Sequence, residues 1–168
     1  MIISPDKIIE NGIITGIRDD WKQPNAIDFS VDEIYAMVDD PEQPFVLQKD
    51  GKQHRARTKL EPIDGYWHLD RGAYDFMSKV YVEMRYNTAG WMLTRSTLNR
   101  NGIIVHSGLY DTGYKGHICG TIYNMAGPTK IEVGARIAQM VFVDAKNSGL
   151  YSGGYNTELG EKPEQMRI

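Results

Sequence analysis

Cysteine occurs once, at Cys119, in a chain of 168 residues. A single thiol closes no disulfide within the chain and fits a reducing compartment. The histidines are scattered (His54, His68, His106, His117), and the chain has neither a Cys-x-x-Cys nor a His-x-Glu pair. That sets aside a zinc-dependent deaminase site, which is built from such pairs. Basic charge is not in excess either, since 19 Lys and Arg against 22 Asp and Glu leave a net charge of −3. Binding a nucleic acid duplex takes a basic stripe, so no nucleic acid partner is expected, whereas a few placed cations suffice for a small anion. No apolar run reaches membrane-spanning length, and the N-terminus lacks the basic start and apolar stretch of a signal peptide. The expectation is a cytoplasmic protein without a membrane partner.

What is present describes one globular, β-rich unit. Hydrophobic residues at 41% and charged residues at 24% are enough for a packed core, and 17 Gly with 10 Tyr point to many turns and strands. Ser4-Pro5-Asp6 predicts a short N-terminal helix: Ser4 can cap it, Pro5 suits its first turn, and Asn11-Gly12 ends it. A short strand is expected over 24–31, and polar loops at 38–43 and 49–57. From Ala73 the period becomes two, with Tyr74, Phe76, Val80, Val82 and Met84 on one side and Ser78 as a small polar interruption. That pattern predicts a half-buried antiparallel strand. Further strands are expected near 90–95, 103–106, 117–123 and 137–144, separated by Gly-bearing turns, which suggests a barrel or sandwich. The segment after Lys146 is rich in Gly, Ser and Asn and is expected to be mobile.

Two adjoining runs carry the chemistry. Asp111 lies between Gly108 and Gly113 in an expected hairpin, where a carboxylate can reach a ligand or act simply as a turn residue. Tyr114 follows it and could pack in the core or face a ligand. Arg95-Ser96 offers a planar fork of donors and a hydroxyl to phosphate oxygens, or is a surface pair at a strand end. Asp28 is equally a solvated strand-end carboxylate or one able to hold the waters of Mg²⁺.

The run Arg95-Ser96-Thr97-Leu98-Asn99-Arg100-Asn101-Gly102 resembles the Arg-Ser-Ser-Leu-Ala-Arg-x-Gly of dCTP deaminases and the Arg-Ser-x-Leu-Ala of dUTPases. Gly108 to Gly116 is similar to the Gly-x-x-Asp-x-x-Tyr-x-Gly hairpin of dUTPases. Gln23 to Phe29 and Gly134 to Phe142 resemble further segments of this superfamily, as does Tyr151 to Thr157 in the tail. The resemblance implies a mainly β fold, a distorted antiparallel β-barrel or jelly roll (a dUTPase-like β-clip) with a short N-terminal helix. It implies a barrel domain over 1–145 and a mobile arm over 146–168 that closes over the active site. It also implies a homotrimer with shared active sites, and Mg²⁺ as cofactor.

Residue by residue, Asp111 would be the catalytic base and Tyr114 would exclude a 2′-hydroxyl. Arg95, Ser96, Thr97, Arg100 and Gln139 would bind substrate, Tyr155 would stack on the base, and Asp28 would hold the metal through water. Ala135 stands where dUTPases have Asp. The arm lacks the family's cations, Leu150 and Gly154 standing in their places, and Lys162 or Arg167 could substitute.

One position separates the two chemistries. Deaminases of this superfamily carry a Glu ten residues after the hairpin Asp, and here that position is Thr121, with no Asp or Glu between Asp111 and Glu132. Threonine cannot shuttle a proton at neutral pH, whereas phosphoryl transfer relies on positioning and charge neutralisation. The resemblance therefore implies a dUTP diphosphatase acting on a deoxyuridine nucleotide. A dCTP deaminase, a hydrolase of another deoxynucleotide, or a nucleotide-sensing binding protein are the alternatives.

Overall fold

The computed structural model describes residues 1–49, 54–85, 87–146 and 149–166, with the side chain of Gln165 left out. Its strands are β1 (Ile14–Thr15), β2 (Ile27–Ser30), β3 (Glu33–Met37), β4 (Arg57–Lys59), β5 (Tyr66–Leu69), β6 (Gly72–Glu83), β7 (Thr88–Thr94), β8 (Ile103–His106), β9 (Lys115–Asn124), β10 (Thr129–Glu132) and β11 (Arg136–Asp144). Two short helices are α1 (Pro5–Glu10) and α2 (Ser96–Arg100). All pairings are antiparallel. The large sheet runs β4-β3-β6-β9-β8, with β1 also on β6; β10 pairs with β5; and β2-β11-β7 form a third sheet. One core joins them through Phe29, Phe76, Ile118, Ile122, Met140 and Phe142, none more than 2% exposed. No helix among the described residues is long and apolar enough to cross a membrane.

Helix α1 starts where expected, but Ser4 makes no side-chain cap bond; its Asp6 instead accepts from Lys22 Nζ at 2.6 Å. The long strand β6 differs from the half-buried expectation, because Asp75, Met77 and Tyr81 on its second face are each only 8% exposed. Two things cover that face. The C-terminal segment lies over it, and Arg57 reaches it from β4. Ser78 turns out to mark an irregularity: the register passes from Met77↔Cys119 to Tyr81↔His117, and Val80 N–H donates to Ser78 Oγ at 3.2 Å. Asp32 secures the bulge by accepting from Lys79 N–H at 2.6 Å. Such bulges bend a strand while leaving its apolar face inward.

Strands β3, β5 and β10 are not evident in the sequence, being short and dependent on remote partners. Arg57, expected in a polar loop over 49–57, opens β4; residues 50–53 of that loop lie outside the described residues. The C-terminal segment makes hydrogen bonds to the hairpin and to β6 in its described residues. Tyr151 N–H donates to Thr112 O at 2.7 Å, Thr157 N–H to Lys115 O at 3.0 Å, and Tyr81 Oη to Thr157 O at 2.9 Å. Met166, 2% exposed, packs against Tyr35 and Met77.

Candidate active site

Strands β8 and β9 form the expected hairpin, in register from Ile103↔Asn124 to His106↔Thr121. Its long tip is pinned on both sides of Asp111. Tyr110 exchanges backbone hydrogen bonds with Gly90 at 2.8 and 3.0 Å, and buried Thr112 donates from Oγ1 to Thr88 O at 2.9 Å. With both neighbours turned inward, the Asp111 side chain is left exposed. Of the two flanking glycines only Gly113 is conformationally required, at φ +90°; space around Gly108 is open. Gly120 is required for another reason, since a Cβ there would lie 2.4 Å from the carbonyl oxygen of His106.

Two recesses adjoin at this tip, sharing Leu109 and Tyr151 in their walls. The smaller, about 450 Å³, contains Asp111, Thr112 and Lys146. The larger, about 480 Å³, is lined by Tyr114, Tyr151, Tyr155, His106, Asp75 and Arg57. Tyr114 stands edge-on between Tyr110 and Tyr151, with ring centroids 5.2 and 5.6 Å away. Tyr155 meets His54 edge-on at 6.2 Å. Burial pushes the Tyr114 hydroxyl and the Cys119 thiol far above their ordinary values, so neither is an anionic nucleophile.

Asp28, Arg95, Arg136 and Gln139 gather elsewhere, on the β2-β11-β7 sheet. Gln139 is the register partner of Asp28. The Asp28 carboxylate, 2% exposed, is 3.4 Å from Arg95 Nε and 3.3 Å from Arg136 Nη1. Burial raises its pKa and the two guanidiniums pull it back, with a net rise. A carboxylate enclosed this way orients both arginines. Ser96, Thr97 and Arg100 lie exposed on α2. None of Arg95, Ser96, Arg100, Gln139 or Asp28 lines either recess. One chain thus brings Tyr114 and Tyr155 into one recess, sets Asp111 in the adjoining one, and holds the phosphate-suited cluster apart. No group of three or more His, Cys, Asp or Glu suited to a metal occurs among the described residues.

Two features escaped the sequence. Asp75 and Arg57 form an ion pair at 2.5 Å in the larger recess, their side chains 11% and 9% exposed. The polar alternation of β6 displays Asp75, but nothing in the sequence pairs it with Arg57. Lys162, a candidate phosphate cation, instead donates to Glu33 Oε2 at 2.8 Å and to Tyr35 Oη at 3.4 Å. Arg167 lies outside the described residues.

The family model for dCTP deaminase-like proteins matches residues 5–145. The chain belongs to the dCTP deaminase-like family. Among curated relatives of this family, a protein of Methanopyrus kandleri named probable deoxyuridine 5′-triphosphate nucleotidohydrolase is 32% identical over 141 residues, covering 83% of this chain and 90% of its own. A protein of Halobacterium salinarum with the same name is 28% identical over 148 residues, covering 84% and 87%. The dCTP deaminase of Agrobacterium tumefaciens has a similar structure, with TM-score 0.63 at 14% identity over 84% of this chain; the match spans 47% of that longer chain. The dUTPase of phage phi11 of S. aureus gives TM-score 0.51 at 16% identity, covering 83% and 89%. At those identities the two structures share the family's fold with this chain, the mainly β architecture expected from the sequence.

Proposed function

We propose that this chain is a dUTP diphosphatase, converting dUTP and water to dUMP and pyrophosphate in pyrimidine deoxynucleotide metabolism. The observation that carries this reading is the exposed Asp111 in the smaller recess, which shares Leu109 and Tyr151 with the tyrosine-lined one. A nucleoside seated against Tyr114 and Tyr155 directs its phosphates towards that carboxylate. The names borne by the archaeal relatives point the same way.

In this mechanism Asp111 takes a proton from the water that attacks the α-phosphorus, and the bond to the bridging oxygen breaks to release pyrophosphate. Tyr114 closes the space a 2′-hydroxyl would need, and Tyr151 and Tyr155 flank the base. Arg95, Ser96, Thr97, Arg100 and Gln139 bind phosphate oxygens. Because these residues do not line the recesses of their own chain, they act on a neighbour's substrate, in a homotrimer with shared sites. Asp28 serves by fixing Arg95 and Arg136. Mg²⁺ would enter on the triphosphate and would neutralise its charge there, and a cation carried in that way needs few protein ligands.

The second reading is dCTP deamination, and the observation favouring it is Asp75, a carboxylate in the larger recess although Thr121 replaces the usual Glu. Its Oδ2 already accepts from Arg57 Nε at 2.5 Å, which suits a hydrogen-bond-accepting role. The test is a panel of deoxynucleoside triphosphates with Mg²⁺, followed separately for pyrophosphate and ammonia. Pyrophosphate from dUTP is expected; ammonia from dCTP would replace this reading with the second, and no product from any substrate would sink both.

A further inference from the structure

The larger recess has a charged wall that phosphate hydrolysis does not require. Asp75 of β6 and Arg57 of β4 are paired there across β3 at 2.5 Å, each about nine-tenths buried. An ion pair taken this far from water gains little net stability over well-packed apolar residues. Buried charges that line a cavity are accordingly candidates for ligand recognition. Neither residue is saturated. Asp75 Oδ2 accepts from Arg57 Nε, while among the described residues Oδ1 accepts only a long 3.3 Å bond from Thr121 Oγ1, and a carboxylate has room for about four such bonds. Arg57 Nη1 donates to Arg55 O at 2.6 Å, which fixes the plane of the guanidinium.

The order of these groups follows the sheet. Thr121 is on β9, the strand that continues from the Tyr114 hairpin; Asp75 is opposite it on β6; and Arg57 is farthest out, on β4. Moving across the sheet from β9, the wall presents a hydroxyl whose proton goes to Asp75, then a carboxylate acceptor and a guanidinium donor. A pyrimidine attached through N1 presents its position-2 oxygen nearest the sugar, then N3, then its position-4 group at the far end. For uracil that edge reads acceptor, donor, acceptor. For cytosine it reads acceptor, acceptor, donor, which sets a lone pair against Asp75 and an amino group against Arg57.

We infer that Thr121, Asp75 and Arg57 form the base-reading wall of the site, Asp75 accepting the N3–H of uracil and Arg57 donating to its O4. These are specificity-determining residues, and the inference rests on reading the Tyr114–Tyr155 recess as the nucleoside pocket. A buried acceptor left facing an acceptor is costly, so discrimination of tenfold or more against cytosine is expected.

The experiment measures binding, which keeps it independent of turnover. Calorimetric titration of the full chain with the α,β-imido analogues of dUTP, dCTP and N3-methyl-dUTP should give preference for the first by at least tenfold over each of the others. Asp75→Asn, which keeps the shape, should shrink the dUTP-over-dCTP preference at least fivefold. Thr121→Val, which removes a hydroxyl that donates to Asp75, should narrow the dUTP-over-dCTP preference by less than Asp75→Asn does. Wild-type protein that binds N3-methyl-dUTP as well as dUTP would overturn the inference, even if Asp75→Asn does not fold. So would an Asp75→Asn protein whose two affinities fall together, the mark of a purely structural ion pair. If wild type binds none of the three, the nucleoside reading of the recess falls with it; if it binds the dUTP analogue but Asp75→Asn keeps the same preference, only the inference falls.

Discussion

Asp75 and Thr121 face each other across the β6–β9 ladder, and Thr121 Oγ1 donates to Asp75 Oδ1 at 3.3 Å. The position that looks emptied of acid in the β9 sequence is therefore supplied with a carboxylate from the adjacent strand. Arg57 holds that carboxylate in place, so the recess keeps a hydrogen-bond acceptor opposite Thr121.

Asp111→Asn removes the exposed carboxylate of the smaller recess while keeping its shape. Pyrophosphate release from dUTP should fall by about 10²–10⁴-fold, the usual worth of a positioned general base. Affinity for the imido analogue should change little. Steady-state kinetics beside calorimetry checks this, and full activity in the variant would rule out the role.

Asp28→Asn tests whether the buried carboxylate serves arginines or a metal. Losing the shared partner of Arg95 and Arg136 should raise KM for the triphosphate several-fold and lower Tm. The Mg²⁺ concentration giving half-maximal rate should stay put. A rightward shift in that Mg²⁺ dependence would instead restore the metal-binding role expected from the sequence.

Gly120→Ala places a methyl group 2.4 Å from the His106 carbonyl oxygen, in a hairpin with no slack. Overpacking of this kind costs about 1–3 kcal/mol. Urea denaturation should show a lower midpoint with an unchanged slope.

The C-terminal segment should loosen at both pH extremes. Burial pushes the Glu33 pKa up, but hydrogen bonds from Lys162 and Tyr35 outweigh it, and the net shift is below the ordinary 4.5. That contribution is complete above 4.5 and is lost as pH falls through the lowered value. The hydrogen bond to Glu33 raises Lys162 above 10.5, so its share is complete below 10.5 and is lost as pH rises through the raised value. Hydrogen exchange should therefore show the amides of 157–166 losing protection, relative to β9, below pH 4 and above the lysine range. Lys162→Gln should show the same loss at pH 7, and unchanged protection in that variant would refute the latch.

Local pattern made much of this protein legible. The period-two run from Tyr74 to Met84 marked the central strand because inward residues alternate whatever the partner strands are. Asp111 was visible since it lies in a Gly-bounded turn, and Arg95-Ser96 because a phosphate-suited pair is contiguous. What stayed hidden depends on pairings between distant segments. Arg57 and Asp75 are 18 residues apart and meet only across β3. Asp28 and Arg136 are separated by 108 residues, so the sequence could not tell an enclosed carboxylate from a solvated one. The Gly- and Ser-rich tail gave no sign by composition that Met166 and Thr157 would be buried, since their cover comes from remote strands.

The sequence by itself determined the chemistry at hand, since side-chain type decides which groups can take a proton or grip a phosphate: Asp111 and the Arg95–Ser96 pair were present, and Thr121 withheld a deaminase's acid. Only the tertiary structure decided where a carboxylate acts. Sheet register set Asp75 opposite Thr121 and enclosed Asp28 between two guanidiniums, and burial and nearby charge fix what an ionisable group can do.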